Sequence, residues 1–140
     1  YFSHDGHEET PGARDAYRER VLAMTAAIWT EFREKFLELW RAHPTGDAYP
    51  VSLFSGAEGE VRLEIERQAY MDRLWTDVAG FAAAKMIRRI LGLAHVEDFE
   101  AIENTEIRAK CERKALEFAR ELLVHRGKFK TISDVTKAIK

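Results

Sequence analysis

A chain of 140 residues, of which 46% are hydrophobic, can bury a core as one domain and is too apolar for a disordered segment. Its formal net charge of −2 excludes a general attraction to nucleic acid or to an acidic membrane surface. The single cysteine, Cys111, excludes an internal disulfide framework and fits a reducing compartment. No neighbouring base marks Cys111 as a nucleophile.

Turn-forming residues dominate the first twelve positions, which we predict to be irregular. They are Ser3, Asp5, Gly6, Pro11 and Gly12. His4 and His7 lie three residues apart beside acidic side chains, but no further histidine is near in the sequence. A solvated or interdomain loop is therefore favoured here, and we expect no metal site in this chain.

The first long helix is predicted over residues 13 to 42, because large apolar side chains follow a three-four spacing. Its predicted buried face consists of Tyr17, Val21, Met24, Ile28, Phe32, Phe36 and Leu39. Trp29 and Trp40 widen that face, so the helix should be contacted from more than one side. A proline and a glycine after His43 end the helix.

A second long helix is predicted over residues 60 to 91, antiparallel to the first. The loop before it, residues 48 to 59, should pack onto the domain and contain a short turn at residues 51 to 54. Gly92 is expected to end the helix. Its second half is apolar on several sides and is predicted to be the buried axis of the domain, and Gly80 within it indicates a close contact or a kink.

A third long helix is predicted to begin at Asn104 or Thr105 and to reach about His125, after a single helical turn at residues 98 to 102. Its predicted inner side is Ile107, Cys111, Ala115, Phe118, Ala119, Leu122 and Leu123. A last short helix over residues 134 to 139 would be capped by Thr131 or Ser133. No strand pattern is convincing, so we predict an all-α fold with one helical domain over residues 1–140.

Three cations, Lys85, Arg88 and Arg89, interrupt the most apolar stretch of the chain, residues 78 to 96. In a helix they share one face, because they are three and four residues apart. They either offset the negative end of the helix dipole or form a site for a phosphate or a polyhydroxylated ligand. His95, just beyond, is expected to pair with a carboxylate or to cap a carbonyl. The three charges argue against a membrane span.

The same stretch carries a resemblance to a known family. Residues 80 to 96 read Gly-Phe-Ala-Ala-Ala-Lys-Met-Ile-Arg-Arg-Ile-Leu-Gly-Leu-Ala-His-Val and resemble the C-terminal part of bacterial S-methyl-5-thioribose kinase. The resemblance continues through residues 97–103 and 108–117. Trp29-Thr-Glu-Phe and Phe36-Leu-Glu-Leu-Trp are similar to a helix of that family, and the first seven residues are similar to the segment soon after its catalytic centre.

The resemblance implies the two-lobed fold of protein kinases and aminoglycoside phosphotransferases, with this chain in the C-terminal lobe. It implies transfer of the γ-phosphate of ATP, with Mg²⁺, to the 1-hydroxyl of methylthioribose in methionine salvage, by a cytoplasmic homodimer. The family's paired arginines are associated with the sugar and the phosphoryl centre. They correspond to Arg88 and Arg89, which we therefore expect to bind substrate.

The sequence also departs from the family. The glycine-rich loop, nucleotide-anchoring lysine, catalytic aspartate and metal-binding acidic motif of such kinases lie N-terminal to the part that matches. We therefore expect no catalytic residue in this chain, no activity by itself, and exposed apolar surface that could self-associate. The alternative is a stand-alone helical module that presents Lys85, Arg88 and Arg89 to an anionic partner; no nucleic-acid or membrane partner is expected.

Overall fold

The computed structural model describes residues 1–93 and 95–140, and every regular element in these ranges is helical. The α-helices are α1 (Asp15–Ala42), α2 (Gly59–Leu91), α3 (Glu97–Glu100), α4 (Thr105–Val124) and α5 (Ile132–Ile139). Short 3₁₀ turns occur at Phe2–His7, Val51–Phe54 and Arg126–Lys128. The all-α prediction is confirmed for the described residues. The connector predicted after the second helix includes Ala94, which lies outside them.

Local hydrogen bonds begin two of the helices where the sequence predicts. The side chain of Asn104 accepts hydrogen bonds from the backbone N–H groups of Glu106 and Ile107, at 3.0 and 3.1 Å. Thr131 and Asp134 form a reciprocal capping box at the start of α5. Each cap satisfies backbone donors that the first turn of a helix leaves without partners.

The core lies between α2 and α4, which pack closely because small side chains meet there. Ala79 and Ala83 of α2 and Ala115 and Ala119 of α4 are all at most 3% exposed. Small residues let two helix backbones approach and leave little void between them. The predicted inner side of α4 is confirmed for Cys111, Ala115, Ala119 and Leu122, which are buried, and for the half-buried Phe118. It is wrong for Ile107 and Leu123, which are 38% and 37% exposed.

Trp75 connects three parts of the fold. Its indole Nε1 donates a 2.6 Å hydrogen bond to the backbone carbonyl of Phe129, beyond the end of α4, and this bond is buried. Its ring centroid lies 4.8 Å from that of Trp29 on α1. A tryptophan buries a large apolar area and needs one acceptor for its N–H, and both requirements are met here.

Helices α1 and α2 are antiparallel, as predicted, and touch through large side chains. Along α1 the contacts run from Trp29 with Trp75, through Phe36 stacked on Tyr70 at 5.9 Å, to Arg41 with Glu64. The guanidinium group of Arg41 donates two hydrogen bonds to the Glu64 carboxylate, at 2.5 and 3.1 Å. Aromatic rings and a bidentate ion pair therefore hold the two long helices together.

The predicted buried face of α1 is wrong in most of its members. Ile28 is 64% exposed, Leu39 60% and Met24 59%, and Tyr17 and Phe32 are also exposed. Leu22 and Leu37 are buried instead, on the side that carries the two tryptophans. Apolar residues follow a three-four spacing on both sides of α1, and the tryptophan side faces α2 because its rings bury more area.

Two further predictions need correction. Residues 2 to 7 are not irregular: they form a 3₁₀ turn that packs on α4, with Phe2 5.6 Å from Phe118 between ring centroids. The second half of α2 is buried on one side only, since Phe81 is 75% exposed while Ala83 is fully buried. The short turn Val51–Phe54 is present as predicted.

We predict that Trp75→Phe lowers the free energy of unfolding by about 2 kcal/mol, because the Phe129 carbonyl loses its buried donor and packing volume is lost. Trp40→Phe is the control. The indole N–H of Trp40 has no hydrogen-bond partner among the described residues, so this change should cost less than half as much. Urea denaturation measures both, and equal losses would contradict the role of the hydrogen bond.

A second prediction concerns acid stability. Hydrogen bonds from Arg41 and then Gln68 lower the pKa of Glu64 from 4.5 to about 2. Because the folded-state pKa is depressed, the Glu64 carboxylate stabilises the fold above pH 4.5, and this contribution is lost as the pH falls from about 4.5 to about 2. Glu64→Gln should therefore destabilise the chain at pH 7 and make no difference near pH 2.

Thermal unfolding of the Glu64→Gln variant and the unchanged chain, measured from pH 7 to pH 2, tests this. Glu66→Gln is the matched control, since Glu66 lies on the same helix and makes no ion pair within the described ranges. If the stability difference between Glu64→Gln and the unchanged chain stays constant down to pH 2, the stabilising role of the ionised Glu64 carboxylate is contradicted.

Candidate substrate-binding face

The three cations predicted to share a helix face do so at the end of α2. Lys85, Arg88 and Arg89 lie in the last two turns of this unbroken helix, and all three are exposed. Residues three and four apart on a helix have Cβ atoms about 5–6 Å from each other. None of the three side chains forms an ion pair with another residue in the described part of the chain. Their positive charges are therefore open to a ligand.

An apolar surface borders these cations. Phe81, one turn before Lys85, is 75% exposed, and Val78 is 38% exposed. We call Val78, Phe81, Lys85, Arg88 and Arg89 the mixed face of α2. It offers a phenyl ring and a valine beside three strong donors. Such a surface suits a ligand with one apolar portion and one anionic or hydroxyl-rich portion.

Gly92 ends α2 as predicted, but not in the left-handed conformation usual for such glycines. Its backbone N–H donates to the carbonyl of Arg88 at 2.9 Å, and its φ of −88° and ψ of 178° are extended. A Cβ atom at Gly92 would overlap the Arg88 carbonyl oxygen and lie 3.4 Å from the Arg88 Cγ. Glycine thus lets the chain leave the helix without crowding Arg88.

The three cations lie at the end of α2, where they can either offset the helix dipole or bind a ligand. Arg88 and Arg89 lie in the last turn, where positive charge offsets the negative end of the helix dipole. That effect needs no ligand. It also does not occupy the donors of the guanidinium groups, so the same arginines can bind an anion.

His95 contacts a carboxylate, as the sequence predicts. Its Nδ1 lies 4.0 Å from the Oε1 of Glu100, and both side chains are more than 40% exposed. At this distance and exposure the pair contributes little to stability. His95 therefore lies beside α3, and no hydrogen bond joins it to Arg88 or Arg89 in the described part of the chain.

A second charged cluster, centred on the buried guanidinium group of Arg18, holds the first residues of the chain. Arg18 pairs with Asp5, with Glu8 at 2.7 Å and with Asp15 at 2.7 Å. Lys114 of α4 donates to Asp5 at 2.6 Å. Burial works against the charge of Arg18, but the Asp15 hydrogen bond and the carboxylates of Asp5 and Glu8 outweigh it and raise its pKa. This cluster was not predicted, because it forms only when the first turn of the chain folds back onto α1 and onto Lys114, which is 109 residues from Asp5.

The two early histidines take structural positions. The Nε2 of His7 lies 2.7 Å from the backbone carbonyl of Asp98 and can donate to it. The Nδ1 of His4 lies 3.3 Å from the Nη1 of Arg14, and burial, followed by nearby positive charges, lowers the His4 pKa. Within residues 1–93 and 95–140, no three His, Cys, Asp or Glu side chains are grouped so as to hold a metal ion.

Cys111 is buried against the first turn of the chain. It is 1% exposed, and burial raises the pKa of its thiol. A thiol with a raised pKa is a poor nucleophile at neutral pH. The prediction that Cys111 is an ordinary packing residue agrees with this environment.

The sequence also did not single out an aromatic concavity between α1 and α2. A cavity of about 400 Å³ is lined by Phe36, Leu39, Trp40, His43, Gly46, Ala48, Tyr49 and Tyr70. The hydroxyl of Tyr49 accepts a 2.7 Å hydrogen bond from Arg73. Tyr49 therefore fastens the preceding loop to α2, as predicted, but Val51 and Leu53 of that loop do not pack on the domain and are 48% and 71% exposed.

Comparison with known proteins shows that the chain is similar to part of several proteins that are named as kinases. It is 43% identical, over 96% of its length, to methylthioribose kinase 2 of Oryza sativa subsp. japonica, and equally to methylthioribose kinase 1 of the same plant. It is 34% identical over its full length to the methylthioribose kinase of Escherichia coli O45:K1. No family model matches the chain.

These relatives are all named methylthioribose kinase, and the similarity confirms the resemblance that the sequence predicts. The chain spans about a third of the length of these curated relatives, 31% of the rice proteins and 33% of the bacterial one. No helix in the described ranges has both the length and the apolar character that crossing a membrane requires.

Proposed function

We propose that this chain is the C-terminal-lobe portion of a two-lobed kinase that uses ATP to phosphorylate the 1-hydroxyl of S-methyl-5-thioribose. The observation that carries the proposal is identity of 43% over 96% of the chain with relatives named methylthioribose kinase. Those relatives are about three times as long, which leaves room in them for an ATP-binding lobe. The full-length kinase that contains this chain would act in methionine salvage in the cytoplasm, as a homodimer.

Arg88 and Arg89 would bind the sugar and the phosphoryl group in transfer. A guanidinium group donates two parallel hydrogen bonds to phosphate oxygens and always carries its charge. Adjacent helix residues diverge by about 100°, so the two arginines would reach different sides of one ligand. Negative charge spreads over the transferred phosphoryl oxygens in the transition state, where positioned cations lower the barrier.

Phe81 and Lys85 would complete the substrate contacts of this face. The phenyl ring of Phe81 is exposed one turn before the ammonium group of Lys85, on the same side of α2. A methylthio group is apolar and the ribose carries hydroxyls, so the two halves of the proposed substrate match the two halves of the mixed face of α2. ATP would supply the phosphoryl group and Mg²⁺ would neutralise its charge, both held by the part of the kinase outside this segment.

The 140-residue chain alone should not phosphorylate methylthioribose, because phosphoryl transfer needs groups that position ATP, Mg²⁺ and the nucleophile. The test is incubation of the chain with labelled ATP, Mg²⁺ and methylthioribose, after intact-mass measurement confirms 16.1 kDa. Labelled methylthioribose 1-phosphate formed by that preparation would contradict this prediction. A full-length kinase that contains this 140-residue segment is the positive control.

In such a full-length kinase, Arg88→Ala and Arg89→Ala should each lower kcat by about 100-fold, because each removes a donor used in the transition state. The KM for ATP should change little. Arg113→Ala is the matched control, since Arg113 is an exposed helical arginine without an ion pair among the described residues. Normal turnover in both Arg88→Ala and Arg89→Ala would refute the assigned role.

The alternative is a stand-alone helical module that presents Lys85, Arg88 and Arg89 to an anionic partner. The exposure of these three cations and the lack of ion pairs to them within the described residues are compatible with this alternative. The similarity to methylthioribose kinases supports the kinase proposal instead. An interaction carried by surface charge weakens steeply as salt rises, whereas enzyme turnover on a small sugar depends on it less. Salt-dependent capture of the isolated chain by an anionic resin, lost in Arg88→Ala, is what this alternative requires.

A further inference from the structure

The cavity between α1 and α2 is not used by the proposed kinase chemistry, and we call it the aromatic cavity. Its volume of about 400 Å³ falls in the range of about 300–1,000 Å³ that is usual for small-molecule sites. Four aromatic side chains line it: Phe36 and Trp40 of α1, Tyr49 of the connecting loop and Tyr70 of α2. All four are half-buried, so part of each ring surface is left for a ligand.

The four rings are arranged as walls rather than as one flat stack. Trp40 is nearly perpendicular to Tyr70, at 83° with ring centroids 5.3 Å apart, and to Phe36, at 81°. Tyr49 is also nearly perpendicular to Tyr70, at 86°, whereas Phe36 and Tyr70 are parallel within 6°. A planar ligand can therefore stack on one ring and meet another edge to face, and these are the two arrangements that aromatic pairs prefer.

The charges around the aromatic cavity favour a neutral ligand. Within the described residues no arginine, lysine or carboxylate lines it, and its other lining residues are Leu39, His43, Gly46 and Ala48. Aromatic rings by themselves attract cations, but Arg73 donates a 2.7 Å hydrogen bond to the Tyr49 hydroxyl and brings positive charge close by. Asp47, between Gly46 and Ala48 in sequence, opposes an anion. A charged ligand would therefore lose hydration here without gaining a partner.

Two polar groups on the walls are available to a ligand. None of the hydrogen bonds among the described residues uses the indole N–H of Trp40 or the hydroxyl of Tyr70. A ring that carries one polar atom can therefore form a hydrogen bond to a wall as well as stack on it. Apolar walls with a small number of polar groups are the usual composition of a small-molecule site.

The aromatic cavity is separate from the mixed face of α2. Tyr70 and Arg88 lie on the same unbroken helix, eighteen residues apart, which corresponds to about 27 Å along its axis. A small ligand in the cavity would therefore not contact the arginines that are proposed to bind the sugar.

We propose that the aromatic cavity is a binding site for a neutral, planar aromatic molecule of one or two fused rings. The proposal does not depend on the kinase assignment. It rests on the volume of the cavity, the orientation of its four rings and the absence of a charged lining among the described residues.

Indole is the probe, because it is neutral and planar and carries one polar group. An NMR titration of the unchanged chain should show one saturable site, with a Kd on the order of 1 mM or tighter for a ligand of this size. Cyclohexanol, which is not planar, and tetramethylammonium, which is a cation, should each bind at least about five-fold more weakly. No saturation by indole would overturn the proposal. Equal or tighter binding of either comparison molecule would overturn the ligand class.

Ala48→Phe tests the location, because it fills the cavity with a protein ring and leaves the four aromatic side chains in place. Gly46→Phe is a second filling variant, since a Cβ atom there would meet nothing within 4 Å and the backbone is not left-handed. Each should weaken indole binding at least about ten-fold. Ala57→Phe is the matched control and should bind indole normally, since Ala57 is an exposed alanine of the same loop outside the cavity lining.

Circular dichroism identifies which of these variants are folded, and only folded variants are compared. Loss of indole binding in a folded filling variant, with normal binding in Ala57→Phe, is the expected result. Normal binding in both filling variants, or the same loss in Ala57→Phe, would overturn the proposal.

Discussion

The close packing of α2 on α4 is the constraint on which the rest of the structure depends. Alanines at the contact let the two backbones approach, and Trp75 then reaches past the end of α4 to bond the Phe129 carbonyl. The same indole faces Trp29 and so sets where α1 lies. Because α2 is one unbroken helix, fixing its middle also fixes the direction in which its last two turns project.

The mixed face of α2 follows from this arrangement. One side of the helix is used by the α4 contact, so the opposite side at its C-terminal end is free to carry Phe81, Lys85, Arg88 and Arg89. A rigid helix holds these groups at constant spacing, which a loop would not do. Proposed substrate contacts and the core of the domain are thus two sides of one element.

The sequence predicted what depends on local chemistry. The caps at Asn104 and Thr131, the end of α2 at Gly92 and the shared face of the three cations all follow from residues a few positions apart. It could not choose between two apolar sides of α1, since that choice depends on which side α2 contacts. It also missed the Arg18 cluster, because Asp5 and Lys114 are 109 residues apart. The role of Arg88 and Arg89 comes from resemblance, and stays a prediction.

Burial of Cys111 beneath the 3₁₀ turn Phe2–His7 has a practical consequence. The thiol is 1% exposed and lies under a segment that is held by charged contacts and by the packing of Phe2 on Phe118. A thiol reagent can reach it only when that segment lifts away, so the rate of labelling measures how often the segment detaches. The chain therefore carries its own built-in reporter of local opening, as it has a single cysteine.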